Sequence, residues 1–389
     1  MSEGGPARRK PIAIVVGYLV RYPVGGMTWV FLNWLRGLAD LGFEPVFMEA
    51  AGPQPTCYDV AAGRMTDDPS YGASYAEREL AGMRWWYRDP ALPAGGCGMS
   101  YDEAAAVLEA ATVLINVGGS CWAPEFAKVT RRILVDADAP FSQIRLADGD
   151  PGWTSVVDEH DTLATYAVNL AEGRSPVPNG GRRWLPTRPP VHLPSVDVTP
   201  IQEGAWTTVT SWSAYGAAWW ELEEYRQKDV EYMRLANLPS LVPDITLELA
   251  LSGDGPVRQL ARRGWKIIDP VPVTRTPALF RGYVQGSRGE LSVAKQAYVK
   301  AQTGAFNDRT LMYAASGRPV VCSDTGLDWL SPGEGVLPFT DVTSAAAAIA
   351  CVEADPRGHG LAARALAERE FSADRVVSDL LAAADVARP

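Results

Sequence analysis

The stretch "GAFNDRTLMYAASGRPVVCSDTG", Gly304 to Gly326, holds a polar opening, a helical run, a glycine stop, an apolar strand and a polar loop. Asn307 is a good N-cap, Asp308 to Ser316 has few helix breakers, and Gly317 stands where a helix ends. "RPVVCS" reads as a buried strand, with Asp324, Thr325 and Gly326 forming the loop at its carboxyl end. A helix amino terminus exposes unpaired N–H groups and partial positive charge, which suits a phosphate. Arg309 in that first turn would add a charge-assisted contact, while Asp308 would accept hydrogen bonds from sugar hydroxyls. A phosphate beside a hydroxyl-rich group describes a nucleotide sugar. The plainer alternative is that Asp308 merely complements the helix dipole and Arg309 is solvated.

Working outward, the rest of the chain reads as repeated strand and helix units. Pro11 to Tyr18 is an apolar, β-branched run, followed by the loop "LVRYPVGG" and a helix beginning near Thr28. Trp29, Leu32, Leu35 and Ala39 recur at helical spacing, Gly42 caps, and "EPVFMEA" is the next strand. A strand–helix–strand unit implies a parallel sheet. "EAAAVLEAATVLINVGG" and "RRILVDADAP" extend the pattern, with Gly118, Gly119 and Asp136 at strand ends. From Arg174 to Pro200 the chain turns rich in proline and glycine, which suits a passage between domains rather than sheet interior. Beyond it "WTTVTSW", "DITLELALSG" and "WKIIDP" read as strands, Ala217 to Asn237 as a long helical stretch, and "GPVRQLARRG" as a short helix ended by Gly264.

Composition bounds the function. At 389 residues the chain exceeds what one core usually serves, so two domains are expected. A hydrophobic share of 47% with 21% charged argues against disorder. The net charge of −10 opposes general affinity for nucleic acid or anionic membrane, yet permits a local cationic pocket. Cys57, Cys97, Cys121, Cys322 and Cys351 show no paired spacing, so reduced thiols in a cytoplasmic protein are expected. The basic start resembles a signal peptide only superficially, and no apolar run reaches the ~18 residues of a membrane span.

"FNDRTLMYAASGRPVVCSDTG" resembles the donor-binding segment of glycosyltransferases with the GT-B fold. The likeness is most specific from Gly289, beginning "GELSVAKQAYV", and extends more weakly over "VGGMTWVFLNWLRGLADLGFEPVFME", "DEHDTLATYAVN" and "PTRPP". It resembles a mostly uncharacterised bacterial group. The resemblance implies an α/β architecture of two Rossmann-like domains with parallel sheets facing a central cleft. Residues 1–195, with a loose tail over 1–10, would hold the acceptor, and 196–371 the nucleotide-diphosphate sugar. Residues 372–389, with "FSADRVVSDLLAAAD", would cross back as a helix.

On this resemblance Arg309, Thr310 and the amides near Asn307 would hold the diphosphate, with Arg288 and Lys295 flanking Glu290 as further cations. Phe306, Asp308, Asp324 and Thr325 belong to the same donor cleft, Ser211 and Trp212 follow the first strand of the second domain, and Gly25 and Gly26 would approach the phosphates. Two departures stand out. Met312 takes the place of the glutamate that grips ribose hydroxyls, and the first position of the paired-glutamate signature falls at Gly304. Asp308, one turn before Met312 on the same face, would substitute. The stereochemical outcome is open.

Sugar transfer needs a base for the acceptor and charge stabilisation for the departing diphosphate. His160, between Asp158 and Asp161, is the candidate base because its pKa suits neutral pH. Asp138 is the alternative, with Asp136, Asp148 and Asp150. The expected partners are a nucleotide sugar and a small-molecule acceptor, with no nucleic acid, no membrane span and no cofactor beyond the donor co-substrate. "DAD" at Asp136 to Asp138 matches a metal-binding D-x-D, but metal independence is expected because the donor-like segment lies far downstream. A nicotinamide dehydrogenase with Glu49 on ribose lacks the tight glycine turn. A nucleotide-sugar epimerase, or a non-catalytic nucleotide-sugar binder, stays as an alternative.

Overall fold

The computed structural model describes residues 10–92, 94–330 and 333–389, so the expected loose tail, Lys10 apart, lies outside them. In chain order the first ten strands are β1 (Ile12–Val16), β2 (Glu44–Ala50), β3 (Cys57–Asp59), β4 (Arg64–Thr66), β5 (Arg84–Arg88), β6 (Gly96–Gly98), β7 (Ala111–Val117), β8 (Arg132–Asp136), β9 (Thr162–Thr165) and β10 (Leu185–Pro186). Eight of them form one sheet in the order β10-β9-β8-β7-β1-β2-β5-β6, and β3 and β4 form a separate hairpin. All pairings in the large sheet are parallel save β5 with β6.

The remaining strands are β11 (Trp206–Ser211), β12 (Ala218–Trp220), β13 (Glu223–Tyr225), β14 (Leu247–Ser252), β15 (Lys266–Ile268), β16 (Gly289–Ser292), β17 (Val320–Ser323) and β18 (Val336–Phe339). Six make a wholly parallel sheet, β15-β14-β11-β16-β17-β18, while β12 and β13 pair as a hairpin. In each sheet the strand order reverses beside the central strand, between β1 and β7 and between β11 and β16. Such switch points open a crevice at the carboxyl ends of the strands.

Local chemistry explains most elements. β1 is apolar throughout and nearly all buried, as a strand covered on both faces must be. The Tyr101–Ala110 helix opens on a capping box, Ser100 with Glu103, and leads directly into β7. The first helix spans Gly25–Asp40 and starts three residues earlier than Thr28. Thr28 is not its cap: the hydroxyl donates to the Val24 carbonyl one turn back and pairs with Tyr75. The proline-rich passage supplies the two-residue edge strand β10, where a missing N–H costs nothing.

One element departs from the sequence expectation. Ala217 to Asn237 is not a single helix: the β12–β13 hairpin comes first, and the helix begins only at Lys228. Glu221 and Leu222, both at positive φ, make the tight two-residue turn. Trp220 and Ala218 then pack on a cluster that includes Leu146, Trp153 and Trp184 of the first lobe. Tertiary burial of aromatic residues overrides the local helical pattern.

The two lobes meet through close backbone approaches. Gly25 lies so near the second lobe that a Cβ there would fall 2.2 Å from the Thr276 carbonyl oxygen. Trp29 Nε1 donates to the Pro277 carbonyl, and Asn169 Nδ2 donates to the carbonyls of Gln302 and Gly326. The Ala373–Ala383 helix packs on the first helix, with Ala373 and Val377 against Gly37. Among the described residues no helix is long and apolar enough to cross a membrane.

Gly25 and Gly26 should therefore behave differently. Gly25→Ala forces its methyl into backbone and should cost about 1–3 kcal/mol, whereas at Gly26 the added Cβ meets Phe280 at an ordinary 3.5 Å. Thermal melts should show a lowered Tm for Gly25→Ala and a near-native one for Gly26→Ala; equal melts would show that the close approach is not real.

Candidate functional site

The second switch point is built around an arginine turned inward. Asn307 caps the Asp308–Ala315 helix, its side chain accepting from the Arg309 amide at 2.9 Å. Arg309 does not reach out toward a ligand. Its Nε pairs with Glu290 Oε1 at 2.6 Å, Nη1 donates to the Val209 carbonyl and Nη2 to Ser292 Oγ. Glu290 is completely buried in β16, and Thr310 is buried against Ser292 through a 2.6 Å hydroxyl pair. Arg309, Glu290 and Thr310 thus tie the helix to β11 and β16. The expected phosphate grip by Arg309 and Thr310 is corrected to a structural one.

The groups left facing the crevice are Asp308, Lys228 and Lys295. Asp308 is half-buried and its carboxylate makes no side-chain hydrogen bond among the described residues. Burial raises it to about 7, despite its own backbone amide. Its charge is felt by Tyr18 and Tyr166 of the first lobe and by Tyr298, all held above the usual phenol range, chiefly by burial. Lys228 opens its helix beneath the β12–β13 hairpin and donates only a long bond, 3.3 Å, to Thr210. Burial, then the neighbouring Arg309 and Lys295, hold its ammonium well below the ordinary lysine range. A half-buried cation with no anionic partner among the described residues invites an anion.

Lys295, at the carboxyl end of β16, reaches across the cleft. Its ammonium lies 2.7 Å from Asp138 Oδ1 and 2.5 Å from the Tyr215 hydroxyl. Tyr215 and Tyr298 also donate to the Asp138 carboxylate, so three second-lobe donors converge on one first-lobe acid. Asp136, by contrast, is enclosed by Ser142, Gln143 and the Asp138 amide. The "DAD" pair therefore does not present two free carboxylates together.

Several expected site residues lie elsewhere. His160 precedes β9 at the amino-terminal edge of its sheet, opposite the crevice; Asp161 beside it accepts from the Arg132 amide. Its ring lies against Trp122 with Nδ1 2.6 Å from the Val156 carbonyl, and burial lowers its pKa to about 4. Arg288 precedes β16 at the corresponding edge of the second sheet and pairs with Glu353 at 2.6 Å. Phe306 stacks on Phe371, and Thr325 is buried with its hydroxyl on the Ala305 carbonyl. Asp324 closes a turn onto the Gly326 amide, so one of its oxygens is already committed. Gly25 and Gly26 face Thr276 and Phe280 rather than an open cradle. Ser211 ends β11 and Trp212 follows it at the crevice edge, stacked on Tyr232.

The departures at Gly304 and Met312 acquire physical reasons. Gly304 has φ +73, and a Cβ there would fall 2.9 Å from the Asn169 side chain, so no glutamate fits. Met312 is 2% exposed and belongs to the apolar core. On the first lobe, a recess of about 580 Å³ opens at the ends of β2 and β5, with Asp67, Asp68 and Asp89 against one arginine, Arg88.

No protein-family model matches the chain, and no curated protein does. Solved structures do. An alpha-glucosyltransferase bound to UDP and a 13-mer DNA containing a HMU base superposes with TM-score 0.60 at 11% identity, covering 97% of this chain and 100% of that one. AviGT4, a glycosyltransferase involved in avilamycin A biosynthesis, gives 0.54 at 15% identity over 96% and 97%. A Listeria monocytogenes protein provisionally assigned as a UDP-N-acetylglucosamine 2-epimerase gives 0.51 at 12% over 96% and 95%. The chain has the GT-B fold. At these identities the likeness speaks for the fold, and function must be argued from the site.

Two outcomes follow. Arg309→Met alone strands a buried carboxylate and should destabilise by about 3–5 kcal/mol, while adding Glu290→Leu should recover much of that loss; urea unfolding that shows no loss in the single variant contradicts the pairing. For Asp308 the folded protein holds its proton more tightly than the unfolded chain, from an ordinary 3.8 up to about 7. Stability should fall as pH rises through that window, so Asp308→Asn should gain Tm over wild type increasingly from pH 4 to pH 7. A constant difference across that range would be inconsistent.

Proposed function

We propose that this protein transfers a glycosyl group from a nucleoside-diphosphate sugar to a small-molecule acceptor. The observation that carries the reading is the closeness of Lys228 and Lys295 at the switch point of the second sheet, where Asp308 opens the helix that precedes β17. Two ammonium groups in a partly desolvated crevice favour a diphosphate and stabilise it as a leaving group when the bond from the anomeric carbon to its oxygen breaks. Asp308, raised to about 7 and ionised as pH rises above it, accepts hydrogen bonds from hydroxyls of the transferred sugar. The neighbour solved with UDP supports the nucleotide part, and the lysines supply charge that a divalent cation would otherwise bring, which favours a metal-independent reaction. The first-lobe recess suits the acceptor; its three carboxylates against one arginine disfavour an anionic one.

A second reading, epimerisation of a nucleotide sugar, draws on the Listeria neighbour and on Asp308 titrating near neutrality. The two differ in whether an acceptor is consumed, so product analysis of donor alone separates them.

A thermal-shift screen of UDP, GDP, ADP and TDP and their sugars, in buffer containing EDTA, tests the donor assignment. At least one diphosphate should raise Tm, since a ligand of the folded state stabilises it. Lys228→Gln should weaken that ligand by about tenfold or more, the worth of a charged hydrogen bond. Failure of every diphosphate, or full affinity in Lys228→Gln, would remove the assignment.

A further inference from the structure

Lys295 lies where a diphosphate would need it, yet its partner is an acid from the opposite lobe. Arg309 cannot substitute, because Glu290 already neutralises it within the sheet. The positive charge of the crevice is therefore shared between Lys228, which forms no ion pair among the described residues although Glu290 and Asp138 act on it from a distance, and Lys295, paired with Asp138.

The same carboxylate also holds a segment of the second lobe against the first. Between β11 and the Lys228 helix, the β12–β13 hairpin and the loop before it form a strap. Tyr215 on that loop donates to Asp138, and its ring meets Phe141 of the first lobe edge-on at 4.9 Å. Trp220 rests on a cluster built from both lobes, while Arg226 at the far end pairs its backbone with Gln296 and Ala297. The outward side of the hairpin carries Trp219, 59% exposed, and Leu222, 96% exposed, so it is held from beneath only.

We propose that Asp138 is an anionic latch: in the donor-free protein it occupies the place of a diphosphate oxygen on Lys295 and fastens the Tyr215 strap to the first lobe. Donor entry exchanges one anion for another on Lys295, and releasing Asp138 loosens the strap. A diphosphate carries more charge than one carboxylate and also reaches Lys228, so the exchange favours the ligand. The affinity of the donor is nonetheless reduced by the fraction of molecules in which the latch is closed. A carboxylate serving only as an acceptor-side base would leave donor affinity alone, which separates the two roles.

This inference rests on the donor reading, and calorimetry with two probes, UDP and inorganic pyrophosphate, distinguishes the failure of one from the failure of the other. Asp138→Asn keeps the shape, removes the competing charge and should tighten both probes about tenfold. Tyr215→Phe removes the strap's hydrogen bond to Asp138 while leaving the Asp138 charge and the Lys300–Glu223 pair that holds the hairpin, and should tighten them by a smaller factor, giving a second test should Asp138→Asn fold poorly. If wild type binds UDP and neither variant binds it more tightly, the latch is overturned and the donor reading stands. If pyrophosphate tightens in the variants while UDP is no better bound than pyrophosphate by any of the three, the latch stands and the nucleoside part of the donor reading fails. No gain with either anion overturns the latch.

Discussion

The ion pair between Arg309 and Glu290 sets the geometry from which the site follows. It joins the start of the Asp308–Ala315 helix to the middle of β16 and, through the Val209 carbonyl, to β11. A pair removed from water in this way is favourable only when its remaining donors and acceptors are met. Here the guanidinium finds three acceptors, while Glu290 Oε2 has no partner among the described residues. The pair is an anchor more than a source of net stability. By turning Arg309 inward it fixes where Asp308 emerges and leaves Lys228 and Lys295 as the cations facing the crevice, with Arg309 acting on Lys228 from within the sheet.

Those crevice groups share a physical signature. Lys228 and Asp308 both carry charges that burial disfavours, and neither has an opposite charge bound to it among the described residues. A fold selected for stability alone has no reason to keep such groups there, which is why they enter the proposed donor site. Two of the junctions between the lobes differ in kind. Asn169 grips backbone carbonyls of Gln302 and Gly326 at the back of the cleft, whereas Asp138 grips side chains at its mouth. Contacts to backbone carbonyls are fixed by the course of the chain, whereas side-chain clamps can exchange partners.

Much of the fold was legible because its determinants are local. The apolar run of β1, the capping box before β7, the Asn307 cap and the glycine after the Asp308–Ala315 helix each act within a few residues. The site was legible only in part. The Asp308 segment and Lys295 reach the crevice, yet which way Arg309 points depends on a buried glutamate that sequence spacing does not reveal. Arg288 and His160 were misplaced although strand direction could have corrected them: each precedes a parallel strand, and the crevice lies at the other end. Lys228 was missed because the "AWWELEEY" run was read as helix, which put the lysine inside an element rather than at its start. The hairpin exists because Trp220 finds a surface on the opposite lobe, a partner far away in the chain.

The central claim is that the second switch point, not the outer face of the helix start, holds an anionic diphosphate. A crystal structure of the protein with UDP tests it most directly. The account predicts diphosphate oxygens within hydrogen-bonding distance of the Lys228 and Lys295 ammonium groups, with the Arg309–Glu290 pair intact. UDP bound elsewhere, or bound with Arg309 swung out of the sheet to meet it, would contradict it.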